Sequence, residues 1–236
     1  LGSVVCGGGV YSAGTYYANT SSGASSFIGA GSNNTANAQA SSVINGYGNT
    51  ASGAFSFIGG GFNNTANSYA GTIAGGYYGT TRGIYAYMAF PAAFNPLNGA
   101  VGASQAGLLV LGKQTTDATA TVLTCDGSAA GTTNQVILPN NSAYYFKGSV
   151  IANVTGAANG AAWSFEGAIM RGANAASTVL IGTPMLNRVA VSSGASSWTI
   201  ALTADTTNGG LAITVTGVAA TTIRWVAKIE TTEVTF

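Results

Sequence analysis

The chain has no histidine. Imidazole bases, imidazole metal ligands and His-dependent nucleophilic triads are therefore excluded. Charge is almost as scarce. Seven Lys/Arg and six Asp/Glu make up 6% of 236 residues and leave a formal net charge of +1, whereas an ordinary soluble domain is about 25% charged. No basic excess exists to neutralise phosphates, so nucleic acid is not expected as a partner. No run of 18 apolar residues occurs, so no membrane insertion is expected. Cysteine appears only at Cys6 and Cys125. Two cysteines cannot build a four-ligand zinc site, and no metal or other cofactor is expected. They fall on opposite sides of a change in composition and read as two buried, unpaired thiols. What remains is rich in Gly, Ala, Ser, Thr and Asn, with 47% hydrophobic residues and 10% aromatics, enough to build a core.

The charges are unevenly spread. All thirteen lie at or after Arg82, and residues 1–81 contain neither charge nor proline. Charge keeps protein surfaces apart in solution, so a free monomer with such a segment would be poorly soluble. An obligate assembly that covers this surface is the expected solution. The first residue, Leu1, is not an initiator Met, and the chain reads as the C-terminal part of something longer.

Residues 1–81 repeat with a period of fifteen. Asn-Thr recurs at Asn19-Thr20, Asn34-Thr35, Asn49-Thr50 and Asn64-Thr65, and degenerates to Gly79-Thr80. In the same register run Ser21, Ala36, Ala51, Ala66 and Thr81; Ile28, Val43, Ile58 and Ile73; and Gly31, Gly46, Gly61 and Gly76. Residues 3–18 look like a degenerate first unit. A short fixed period means stacked units, each too small to bury a core of its own. Fifteen residues fit two strands of about five with tight turns, a β-solenoid with Ile/Val and Ala inside. Phe27, Ser42, Phe57 and Thr72 then point outward. Amide and hydroxyl ladders at Asn-Thr would satisfy the turns. A coil this thin leaves apolar surface that other chains would cover.

The run Ser56-Phe57-Ile58-Gly59-Gly60-Gly61-Phe62-Asn63-Asn64-Thr65-Ala66 resembles the head repeat of trimeric autotransporter adhesins, which also occurs in phage fibre shafts. That resemblance covers about residues 3–83 and implies a trimeric β-roll.

Residues 77–97 break the period. Tyr77, Tyr78, Tyr85, Tyr87, Met88, Phe90 and Phe94 crowd ahead of Pro96, and residues 85–103 read as an aromatic plug and connector that caps residues 1–84. From 104 to 236 the texture is ten short alternating strands with turn signals between them, the pattern of an antiparallel, jelly-roll-like β-sandwich. Trp163, Phe165 and Ile169 share one face, with Glu166 opposite; Ile223, Trp225 and Ile229 do the same, with Arg224, Lys228 and Glu230 opposite. The three tryptophans read as core. Four motifs, Thr115–Thr119, Ala175–Thr178, Ala204–Gly209 and Ile223–Ala227, resemble the C-terminal domain of tail-fibre proteins of tailed phages. This implies a fibre tip and brings no catalytic residues with it.

Of the carboxylates, Asp117 and Asp205 sit in turn sequences and read as caps of backbone N–H groups. Glu166 reads as an outward residue paired with Arg171 or Lys147. A glycosidase needs two carboxylates facing across a sugar, and no such pair is evident. The expected fold class is thus all-β, a solenoid followed by a sandwich. The expected function is host attachment by a homotrimeric phage tail fibre in the virion. It would adhere to a cell-surface glycan without catalysis and join other tail proteins through an N-terminal part. A bacterial trimeric surface adhesin and a polysaccharide depolymerase are the alternatives. Fibres meet their hosts through loops at the tip, and the turns 156–161 and 171–176 supply Asn159, Arg171 and Asn174 as candidate receptor contacts.

Overall fold

The computed structural model describes residues 2–97 and 101–236 and is all-β apart from three single 3-10 turns. The chain divides into two compact units: the first runs to Gly107 and takes in Glu233–Phe236, and the second is Leu108–Thr232. Part of the expected connector, residues 98–100, lies outside the described residues, as does Leu1.

The first unit is a parallel β-solenoid. One ladder stacks Phe27–Ile28, Ser42–Val43, Phe57–Ile58 and Thr72–Ile73. A second stacks Thr20–Ser21, Thr35–Ala36, Thr50–Ala51 and Thr65–Ala66. Single bridges through Ser32, Tyr47, Phe62 and Tyr77 make a third side. Each strand is two residues long, shorter than fifteen residues would permit, because three corners per coil consume the rest. The glycine corner admits nothing else. At Gly46 φ is +103°, and an added Cβ would sit 2.2 Å from the Gly61 carbonyl oxygen of the next coil. Ser25, Ala40, Phe55 and Ala70 hold φ between 50° and 60° at another corner without that option, a cost of about 1–2 kcal/mol each. The first coil is irregular. Val4 pairs with Phe27, 23 positions on instead of fifteen, and the hairpin Val10–Ser12/Thr15–Tyr17 takes up the extra eight.

Inside the coils Ile28, Val43, Ile58 and Ile73 and the alanines Ala36, Ala51 and Ala66 are fully buried, and so are Asn34, Asn49 and Asn64. The amides form a continuous ladder. Asn49 Nδ2 donates to Asn34 Oδ1 at 3.1 Å and to Gly61 O at 2.9 Å, and Asn49 Oδ1 accepts from Asn64 N and Asn64 Nδ2, each at 3.0 Å. Each amide thus satisfies a glycine-corner carbonyl and an N–H that no strand reaches. Aromatic rings also stack from coil to coil, with Tyr47–Phe62 at 5.4 Å and Phe62–Tyr77 at 5.2 Å.

The stack does not end in an aromatic plug alone. Met88–Pro91 adds one more coil beside Thr72–Ile73, Tyr77 and Phe94 prolong the outer aromatic column, and Ile84 closes the interior. Beside it Arg82 Nε donates to Glu233 Oε2 at 2.9 Å, with both side chains buried. Gln105 bridges Glu233 to the Thr80 backbone, and the Tyr87 hydroxyl also donates to Glu233.

The second unit has two antiparallel sheets. In the first, Ser104–Thr115, Ile223–Thr235, Ser142–Val154 and Gly160–Arg171 lie in that order. Val179–Leu180 and Met185–Val191 both pair with Gly160–Arg171 as the outer edge. In the second sheet Gly210–Thr216 is central, with Thr199–Asp205 on one side and Thr121–Val122 and Val136–Ile137 on the other. Trp225 joins the two: its ring lies 5.8 Å from Trp163 and 5.7 Å from Trp198, which precedes Thr199–Asp205. The hairpins 142–171 and 199–216 each stay within one sheet, because their short connections force neighbouring antiparallel strands. A jelly roll would carry successive strands across. Both cysteines are free, but neither is buried as expected: Cys6 is exposed and Cys125 half-buried.

Asn49→Ala removes the donor for Gly61 O and the acceptor for Asn64 N, and should cost about 3 kcal/mol. Denaturant unfolding alongside Asn37→Ala, an exposed neighbour expected to change stability by less than about 0.5 kcal/mol, checks this. Equal midpoints for the two variants would contradict the ladder.

Candidate functional site

Asn159 and Arg171 flank opposite ends of the Gly160–Arg171 strand. Asn159 Oδ1 accepts from Ser192 Oγ at 3.1 Å, and Gly160 N donates to the same hydroxyl at 3.0 Å, which ties the 155–159 turn to Ser193–Ala195. Arg171 is half-buried, and its Nη1 donates to Leu138 O at 2.6 Å beneath the hairpin turn at Gly209. Asn174 is exposed beside it, its carbonyl accepting from Ser177 N and Oγ. The structure therefore brings Arg171 and Asn174 to one end and Asn159 to the other. It gives Asn159 and Arg171 local bonds to keep.

Most carboxylates are committed to turns or ion pairs. Asp117 accepts from Thr119 N at 2.7 Å, and that backbone bond lowers its pKa. Burial works against the charge of Asp126, but bonds from Ser128, Asn134 and Thr124 outweigh it and lower the pKa. Asp205 behaves alike. Its desolvation is outweighed by Asn208, Gln135 and the Thr207 N–H, so its pKa is also lowered. Its Oδ1 takes the N–H groups of Thr207 and Asn208 at 3.0 and 2.9 Å, and Oδ2 takes the side chains of Asn208 and Gln135 at 2.7 and 3.0 Å. Glu230 is lowered by its bond to Lys228 and then by Lys147.

Glu166 is different. Lys147 is its cross-strand partner in register, yet the Lys147 ammonium goes to Glu230 at 3.1 Å, and Arg171 is occupied with Leu138. Instead the Tyr145 hydroxyl donates to Glu166 Oε2 at 2.8 Å, and this bond raises the Tyr145 pKa. The expected ion pair is thus corrected. Alternation turns Ser164 and Glu166 outward, and the register sets them against Asn187 and Met185 of the edge strand. The four side chains, with Phe165, line a depression of about 150 Å3, below the roughly 300–1,000 Å3 of an enclosed ligand pocket. A carboxylate, an amide and a hydroxyl beside an apolar thioether can accept from and donate to vicinal hydroxyls and cover a C–H face. This site needed two strands in register; neither strand alone signals it. Among the described residues no group of three or more His, Cys, Asp or Glu could hold a metal, and no helix is long and apolar enough to cross a membrane.

No family model matches the sequence, and no curated protein is similar to it. Solved structures similar to it include three phage tailspikes. The gp49 tailspike of Acinetobacter baumannii bacteriophage Fri1, a capsular polysaccharide depolymerase, is 10% identical with a TM-score of 0.34, over 88% of this chain and 39% of that one. The tailspike of Acinetobacter phage vB_ApiP_P1 is 9% identical with a TM-score of 0.25, over 89% and 51%. That of Acinetobacter baumannii phage AM24 is 11% identical with a TM-score of 0.24, over 88% and 45%. The chain spans about two-fifths to one-half of their lengths. The expectation of a protein without catalysis is corrected here. A similar structure is a capsular polysaccharide depolymerase.

Folding depresses the Asp205 pKa, so its stabilisation is fully present above the unfolded value of about 3.9 and is lost as pH falls through the lower folded value. The stability gap between wild type and Asp205→Asn should therefore shrink on acidification below pH ~4. Urea unfolding across that range checks it; parallel pH curves would contradict the assignment.

Proposed function

We propose that the chain is the receptor-binding part of a phage tail protein, carried in the virion, in which three copies pack their solenoids into a shaft. The observation that carries this reading is the exterior of the solenoid. It has no charge before Arg82, yet Phe55, Phe57 and Tyr69 are 48%, 38% and 54% exposed. A surface that is neither charged nor polar enough to stay apart is a surface built to be covered. The resemblance of its repeats to adhesin heads and fibre shafts supports three-fold packing. Attachment to other tail proteins would lie in an N-terminal part.

The second unit we read as a sandwich-type tip without jelly-roll order, adhering to a host cell-surface glycan. The Glu166 depression supplies the polar groups for one sugar of such a chain. Asn174, exposed on its turn, is a further contact, while Asn159 and Arg171 hold the loops at the two ends of the Gly160–Arg171 strand. A second reading is favoured by one pair. A phenol hydrogen-bonded to a carboxylate at the Glu166 depression offers two proton-transfer groups, so the bound polysaccharide would also be cut there.

Light scattering at micromolar concentration should give about three times 23.3 kDa, since an obligate assembly survives such dilution. A monomer mass would overturn the shaft. Glu166→Gln should lower adsorption to host cells about tenfold with the trimer intact. New reducing or unsaturated ends after incubation with host capsule, absent for Glu166→Gln, would decide for cleavage over binding alone.

A further inference from the structure

The second unit carries another depression, away from Glu166, at the edge of its larger sheet. Gly112 N donates to Thr124 O at 2.9 Å, which draws the 124–127 loop against the Ser104–Thr115 strand. Between this loop and residues 224–226 of the neighbouring strand lies an open groove of about 380 Å3. Lys113 and Arg224 line it, with Gln114 and Cys125.

These two cations share one groove, whereas the others are held elsewhere. Arg82 is paired with Glu233, and Lys147 and Lys228 with Glu230. Arg171 donates to Leu138 O and Arg188 to Ser196 O. Lys113 and Arg224, which line the same groove, have, like Arg171 and Arg188, no carboxylate partner among the described residues. The Lys113 ammonium is held by the carbonyls of Gly127 and Ser128, which uses two of its three donors. The Arg224 Nε donates to Gln114 Oε1 at 3.3 Å, which leaves the Nη edge of the fork to a ligand. Nothing negative lines the groove. Burial, and then the charge of Asp126, pushes the Cys125 thiol up to about 11, so it stays neutral. Asp126 is not among the lining residues, and its Oδ1 is taken up by Ser128 and Asn134. Trp225 forms part of the wall but is almost wholly buried, so recognition here is by charge and hydrogen bonding, not by ring stacking.

We propose that the groove between Lys113 and Arg224 binds the carboxylate of an acidic sugar in a polysaccharide. This rests on the glycan-binding reading above and deepens it by naming the chemistry of one residue of the glycan. A planar carboxylate matches the two parallel N–H bonds a guanidinium offers, and the ammonium supplies a third, charged bond. Neutral hydroxyls would leave two cations unpaired in the same place.

The test uses the full chain in its assembled state with trigalacturonate and its fully methyl-esterified form as probes, followed by calorimetry. Trigalacturonate should bind at least about tenfold tighter than the ester, and binding should weaken as salt rises. Lys113→Gln and Arg224→Gln should each lose that preference, and Lys228→Gln, outside the groove, should keep it. Equal binding of acid and ester, no binding of either, or unchanged selectivity in both groove variants overturns the proposal. Adsorption to host cells is measured on the same samples. If the groove fails while cells are still bound in a Glu166-dependent way, only this inference falls. If trigalacturonate binds as expected and no cells are bound, the attachment reading falls and the groove stands.

Discussion

The buried asparagine amide is the constraint on which the solenoid depends. A coil with two-residue strands leaves corner N–H and C=O groups that no ladder reaches, and water is excluded from the interior. Asn34, Asn49 and Asn64 answer that by donating to the glycine corner of the next coil and accepting from the next asparagine, or for Asn64 from the Gly79 N–H. The arrangement works only if every coil places the same atoms at the same height, which enforces the period of fifteen. It also accounts for the missing charge. Parallel coils in register stack each residue on its own equivalent about 4.8 Å away. A charged column would set like charges face to face along its whole length, which is destabilising at each step. Asn, Thr, Ser, Ala and aromatic columns gain from the same stacking. The segment is uncharged because it is a ladder.

Charge returns where the ladder stops. Arg82 is the first charged residue of the chain and Glu233 the last, and they meet at the closing end of the coils. A buried pair of this kind is costly to break, because either partner alone is an uncompensated charge, about 3–5 kcal/mol. Gln105 and the Tyr87 hydroxyl share the Glu233 carboxylate, so the pair is hydrogen-bonded as well as neutralised. The end of the first unit is thus completed by residues 233–236, after the whole of the second unit has been made.

The solenoid was legible because its information is local: four columns in one register determine which residues face inward, and Ile58, Ala51 and Gly46 are where the period puts them. The ten strands of 104–236 were legible for a similar reason, since alternation around Trp163, Trp198 and Trp225 is a property of each strand alone. The longer first coil was not, because nothing in Val10–Ser12 distinguishes an inserted hairpin from a worn repeat. The Glu166 depression was hidden for a deeper reason. It exists only through the register that sets Ser164 against Asn187 and Glu166 against Met185, and register between strands is decided by packing. The partners of Arg171 were hidden for the same reason: the Leu138 and Gly209 carbonyls are brought within its reach only by the fold.

Scarcity makes the remaining charges informative. In a surface that is one-quarter charged, an unpaired lysine says little. Here thirteen charges serve 236 residues, and almost all have visible work: Asp117, Asp126 and Asp205 tie down turns, Arg171 and Arg188 hold carbonyls, and Arg82, Lys147 and Lys228 are paired with carboxylates. Glu166 with its phenol, and the cations Lys113 and Arg224, which have only neutral partners, are the charges that line depressions. They lie in two separate depressions of the same unit, one lined by a carboxylate and one by cations. Lys113 holds the Gly127 and Ser128 carbonyls and Arg224 reaches Gln114, yet neither bond neutralises a cation, and both depressions open to solvent, where a ligand would meet them.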